Sequence, residues 1–236
     1  MPRLALLLAF CVAACAAPPQ LTTPAAGDAA SRAAARAASD FIAVVRRVEP
    51  VAEQECRDRT DAVNCDFLIL VDDRRDQPPN AFQTVDRRGR PAIIFTATLI
   101  ADARNQDELA FILGHEAAHH IAGHLERVEA SAELGALVLG QLAQAAGQSR
   151  REVSEAVRLG AEVGARRFAK EFELEADRLG TVIAARAGFD PVRGAQFFAR
   201  IPDPGDEFLG THPPNAARQQ AVLETAQSLR QAGAGG

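Results

Sequence analysis

The stretch Asn105-Gln106-Asp107-Glu108-Leu109-Ala110-Phe111-Ile112-Leu113-Gly114-His115-Glu116-Ala117-Ala118-His119 decides how the rest of the chain is read. Asn105 with Glu108 makes an Asn-x-x-Glu capping box, the signature of a helix start. The spacing predicts a helix that runs at least to Arg127. His115 and His119 lie four residues apart, so their imidazoles are separated by about 40° around the helix and point the same way. Two imidazoles on one face can hold one metal ion, and zinc is the ion such sites commonly take. Glu116 is on the neighbouring ridge, where its carboxylate can take the proton of a water that zinc has acidified to a pKa of about 7. The segment is the His-Glu-x-x-His pattern of metal-assisted hydrolysis, with Glu116 as general base.

A third protein ligand must come from elsewhere. On an ideal helix His120 is about 100° from His119, and His124 is about 180° from His115, so neither shares their metal. A metzincin would place Gly and His at the positions held here by Ala122 and Leu125, which excludes that class. The site is then two His plus a carboxylate, or it includes the remote His212. A carboxylate-rich helix follows at Lys170-Glu171-Phe172-Glu173-Leu174-Glu175-Ala176-Asp177.

Three separated motifs now stand in order: His115 to His119, Glu173-x-x-Ala176-Asp177, and Thr211-His212-Pro213-Pro214. Together they resemble the HtpX/BepA/Oma-type zinc metallopeptidase family, which are gluzincins. The resemblance spans roughly residues 40–225 and implies one zinc ion per chain, with Glu173 as its third ligand. Glu171 and Glu175 are then decoys. Ala169-Lys170 stands where the family often has Ser-Arg. Asp177, one helical turn beyond Glu173, is expected to orient a ligand from behind. With no Tyr in the chain, His212 and Arg218 are the candidates for stabilising the oxyanion. The resemblance to BepA-like proteins also implies that His212 can occupy the open zinc position and hold the site latent. His120 and His124 are expected to be structural or exposed.

The first residues read as an address. Arg3, the apolar run Leu4 to Ala14 and then Cys15 make a secretory signal, too short to span a bilayer. Val12-Ala13-Ala14-Cys15 resembles a bacterial lipobox, in which Cys15 becomes the lipidated first residue. Bulky Phe10 makes Cys11 a worse candidate. Ala16, rather than Asp, after that Cys favours the periplasmic face of the outer membrane. The expected organisation is therefore a signal at 1–14, a Pro- and Ala-rich tether at 15–30 and one metallopeptidase domain at 31–232. In an oxidising compartment, Cys56 and Cys65 are expected to form a disulfide closing a small loop.

Elsewhere the patterning predicts a helix from Ser31 to Glu49 stopped by Pro50, a buried strand from Asp66 to Asp72, and strands at Asn80 to Val85 and Pro91 to Thr96 forming a hairpin about Gly89. A helical pair covers 131–165, with a second capping box at Ser149 and Glu152. Helices follow over Arg166 to Ala187, from Asp190-Pro191 onward, and over Asn215 to Arg230, with a loop from Pro202 to Pro214. The fold class is α+β, a mainly helical zincin-like domain with a small sheet. A chain of 236 residues with net charge −5, no Trp, no Tyr and Lys170 as its one lysine is poorly equipped for nucleic acid. The function expected is a zinc endopeptidase of the cell envelope, acting on unfolded or misassembled polypeptides and tied to the membrane through Cys15. Contact with outer-membrane assembly machinery is a further expectation. The alternative is a zinc-containing chaperone or assembly factor with little proteolysis. Asn80-Ala81-Phe82 is the candidate edge for binding extended substrate.

Overall fold

The computed structural model describes residues 26–74, 76–205, 210 and 212–234. The expected signal, the Cys15 lipobox and the tether up to residue 25 lie outside the described residues. In chain order the elements are α1 (Ala26–Arg59), β1 (Leu68–Asp72), β2 (Ala81–Val85), β3 (Pro91–Thr96), α2 (Ala97–Asp102), α3 (Gln106–Ile121), α4 (His124–Ala145), α5 (Arg150–Arg166), α6 (Ala169–Arg186), α7 (Pro191–Gly194), a 3-10 turn (Ala195–Ala199) and α8 (Asn215–Ala234). This is a mainly helical α+β architecture with one three-stranded sheet.

Two helices, α1 and α3, have boundaries that depart from the sequence reading. α1 begins at Ala26, so residues 26–30 of the expected tether are helical, and it continues through Pro50 to Arg59. Val44, Val48, Ala52 and Cys56 recur every fourth residue and are all buried. That stripe crosses the proline without interruption, and its burial offsets the roughly 3 kcal/mol cost of proline in a helix interior. α3 stops at Ile121 instead of running to Arg127, because Gly123 adopts φ 62° and the chain restarts as α4 at His124. The cap of α3 is also half of the expected box. Asn105 accepts from the Glu108 amide at 3.1 Å, but the Glu108 carboxylate accepts from the Arg104 amide at 2.9 Å and is paired with Arg200. Ser149 and Glu152 form the full reciprocal box ahead of α5.

The sheet has the order β1-β3-β2, with β1 parallel and β2 antiparallel to β3. Central β3 buries Ala92, Ile93 and Phe95. β1 is an edge strand and not the buried one expected, since Leu70 and Val71 are exposed and the apolar weight falls on Phe67 just before it. β2 is the opposite edge, and its hairpin to β3 turns at Gly89 with φ 75°. Cys56 and Cys65 are disulfide-bonded, with Cα atoms 5.7 Å apart, tying the end of α1 to the loop before β1. α4 and α5 form a hairpin stapled by glycines: a Cβ on Gly135 would lie 2.1 Å from the Gly160 carbonyl oxygen. Among the described residues no helix is long and apolar enough to cross a membrane.

What positions the site is the crossing of α3 and α6. A Cβ added to Gly180 would fall 2.8 Å from the His115 nitrogen, and one on Gly114 would fall 2.9 Å from the Gly180 oxygen. The two backbones touch at the level of the first histidine. Gly180→Ala is expected to cost about 1–3 kcal/mol, the usual range for overpacking, because backbone and not a flexible side chain must give way. Thermal denaturation checks it. A variant as stable as the parent would show that the helices can part freely.

Candidate metal centre

α3 and α6 each present one face to the crossing. From α3 come His115, buried, and His119, half-buried; from α6 come Glu173 and, one turn on, Asp177, both buried, while Glu171 and Glu175 are exposed and do not reach the three candidate ligands. The His115 and His119 Nε2 atoms are 3.0 Å apart. Glu173 reaches both, Oε2 at 3.5 Å from His115 Nε2 and Oε1 at 3.4 Å from His119 Nε2. Among the described residues these three form a group whose ligand atoms lie within 4.8 Å of one another.

The residues fit a metal ion on two further observations. Glu173 Oε2 is buried without a hydrogen bond of acceptable geometry, even though His212 Nδ1 and Arg218 Nη2 lie 3.2 Å away. Metal–nitrogen bonds of about 2.0–2.1 Å at tetrahedral angles separate two nitrogens by about 3.3 Å, close to the spacing of the two Nε2 atoms. The electrostatics also favour positive charge here. Burial alone would raise the Glu173 carboxyl, but the imidazoles of His115, His119 and His212 hold it well below the usual carboxylate range. Burial pushes His115 down, yet Asp177 and Glu173 overcome it and raise its pKa to about 10.

Behind the ligands, Asp177 Oδ1 is 3.0 Å from His115 Nδ1. Arg218, on α8, donates to both oxygens of Asp177, Nε to Oδ2 at 2.7 Å and Nη2 to Oδ1 at 2.6 Å, with its guanidinium 4.0 Å over the Phe198 ring. Burial would raise Asp177, but Arg218 and His115 hold it below the ordinary carboxylate value. Arg218 therefore pairs with Asp177, and its Nη2 also lies 3.2 Å from Glu173 Oε2 and 3.3 Å from the His115 ring nitrogens. Two of its nitrogens are engaged by Asp177, and it also lines the cleft. His212 comes from the loop before α8, half-exposed, with Nδ1 on Glu173.

His115, His119, Glu173, His212 and Arg218 line one cleft of about 670 Å³. Glu116 is half-buried on its wall, β2 contributes Ala81, Phe82 and Gln83 along one side, and Phe197, Phe198 and Ile201 supply an apolar floor. His120 does not reach the cleft. Its Nε2 is 2.8 Å from the Asn64 carbonyl oxygen in the disulfide loop, and its ring meets Phe67 edge-on.

A family model for peptidase family M48 matches residues 44–226 of the chain. The chain belongs to peptidase family M48. Over 151 residues it is 29% identical to the beta-barrel assembly-enhancing protease of Escherichia coli (strain K12), an alignment covering 58% of this chain and 31% of that protein. The protein of the same name from Yersinia pestis is 32% identical over the same length. The chain spans about a third of the length of these curated relatives.

Within this M48 domain, His124 lies outside the three-residue group, as expected, but its contact with His119 was not foreseen from the sequence. His124 is buried at 3% exposure, with Nδ1 2.8 Å from His119 Nδ1. The helical-wheel estimate assumed an unbroken helix, and Gly123 breaks it. That glycine inside an otherwise helical pattern was the available signal.

Proposed function

We propose that this chain is a zinc-dependent endopeptidase of the bacterial cell envelope, acting on unfolded or misassembled envelope proteins. The observation that carries the reading is the convergence of His115, His119 and Glu173 beside Glu116 in a cleft whose side is an open sheet edge. Two imidazoles and one carboxylate are a donor set suited to zinc, with room left for a fourth ligand. Bound there, zinc would polarise a peptide carbonyl and make water acidic enough to attack near neutral pH. Glu116 accepts the proton of that water at its carboxylate and returns it to the departing amine. Asp177 holds the His115 ring, and Arg218 holds Asp177. The outer edge of β2 pairs with the backbone of an extended substrate, which demands little of its sequence. The apolar floor takes its side chains, a preference suited to unfolded polypeptide. The envelope assignment is supported by the names of the relatives, by the paired cysteines and by the sequence of residues 1–14, which reads as a secretory signal. Lipid attachment at Cys15, facing the periplasm from the outer membrane, is part of the proposal, as is contact with outer-membrane assembly machinery.

The purified chain is expected to carry close to one zinc and to cleave casein in a chelator-sensitive way. Glu173→Ala is expected to abolish both, and Glu171→Ala, on an exposed carboxylate, to leave both intact. Zinc retained after Glu173→Ala but lost after Glu171→Ala would place the ligand on the wrong face of α6. His212→Ala should raise basal cleavage several-fold, since the ring sits on Glu173 at the metal side of the cleft. A fall of about 10²–10³-fold instead would make His212 the oxyanion donor.

A further inference from the structure

We infer that His124 and Glu175 are positioning residues that set the tautomer and ring plane of His119, an inference that rests on the metal-site reading above. His119 Nε2 faces His115 and Glu173, so Nε2 is the nitrogen that must present a lone pair. Its other nitrogen, Nδ1, lies 2.8 Å from His124 Nδ1. Contact between two neutral imidazoles needs an N–H on one side and a lone pair on the other. The far end of His124 decides which. His124 Nε2 is 3.1 Å from Glu175 Oε2, and a carboxylate only accepts, so the hydrogen of neutral His124 is on Nε2. Its Nδ1 is then a lone pair, His119 Nδ1 must donate to it, and His119 Nε2 is left free for the metal. The hydrogen bond at one ring nitrogen thus selects the other for coordination.

The relay is built to hold its geometry. The His124 ring stacks on Phe172 at 4.5 Å with an interplanar angle of 11°. Arg127 pairs with Glu175 Oε2 at 3.0 Å, and its guanidinium lies 4.1 Å over the same Phe172 ring. Gly123 makes the arrangement possible, because its φ of 62° starts α4 with His124 folded back over His119. The two histidine ligands are therefore backed by carboxylates in different ways. His115 meets Asp177 directly, and His119 meets Glu175 through an intervening imidazole.

The test measures zinc affinity of the full chain by chelator competition, with ¹⁵N spectra of the histidine rings in the zinc-free protein. His124→Phe keeps the stack on Phe172 and removes the acceptor, and is expected to weaken zinc about 10–100-fold, the range for partners one step behind a ligand. His124→Asn, whose Oδ1 can accept from His119 Nδ1, should recover most of that loss. Glu175→Gln, at an exposed position that leaves folding alone, should turn His119 from a single Nδ1–H tautomer into a mixture. Unchanged zinc affinity in His124→Phe, or His119 keeping one tautomer in Glu175→Gln, overturns the inference. So does a parent spectrum with the His124 hydrogen on Nδ1. If the parent binds no zinc and His115→Ala changes nothing, the metal-site reading itself fails and the inference falls with it.

Discussion

Changing Glu116 to Gln is expected to lower casein turnover by about 10²–10⁴-fold, the range for a positioned general acid–base group, while zinc content stays near one per chain. The amide matches the carboxylate in size but cannot take a proton. The contacts that bring His115, His119 and Glu173 together do not pass through Glu116, so the ligand set survives the change. Half-burial on the cleft wall keeps the residue within reach of both solvent and substrate. Initial rates with parallel zinc analysis check the prediction. Cleavage within a few-fold of the parent would remove the general base from the mechanism. Parent and variant both inert toward casein and unfolded porin, with zinc bound, would favour the chaperone or assembly-factor reading.

Asp177→Ala is expected to destabilise the fold by about 3–5 kcal/mol, the cost of breaking a buried ion pair from one side. Asp177 is 0% exposed and Arg218 6%, so the orphaned guanidinium has little access to water. Its nearest remaining anionic partner is Glu173 Oε2 at 3.2 Å, a candidate metal ligand. At about 2–4 °C per kcal/mol for a domain of this size, the melting temperature should fall by about 6–20 °C. Melting in excess chelator separates this loss from any change in zinc binding. The double change Asp177→Ala with Arg218→Met should recover part of the stability, because it removes the uncompensated charge along with its partner. A single variant that melts within about 2 °C of the parent would mean that water or Glu173 compensates Arg218 in full.

Local signals were legible in the sequence wherever one element decides its own geometry. The four-residue spacing of His115 and His119 puts two rings on one face of any helix that carries them. The Ser149–Glu152 box, the Gly89 turn and the Asp190 cap before Pro191 depend on a few neighbouring atoms, and all three are present. The family motifs pointed to Glu173 among three glutamates of one helix, and its burial against α3 follows from a face shared with Asp177. Where packing competes with a local preference, the sequence alone misled. Pro50 reads as a stop until the buried stripe on both sides of it is seen, and β1 reads as buried until its place at the sheet edge is known. Gly123 interrupts a helix whose periodicity runs on.

The sequence by itself determined that His115 and His119 share one helix face with Glu116 beside them, because a four-residue spacing is a property of one helix, whereas Glu173 was singled out by the family resemblance. Asp177 behind His115 was expected from the motif, but only the tertiary structure decided that Arg218, His124 and Glu175 gather around the candidate ligands. Arg218 is 103 residues from His115 in the chain, and Glu175 is 51 from His124. Such pairs leave no trace in local periodicity. They meet because α3 and α6 cross in backbone contact at Gly114 and Gly180, α8 packs against α6, and a left-handed glycine turns α4 back over the site.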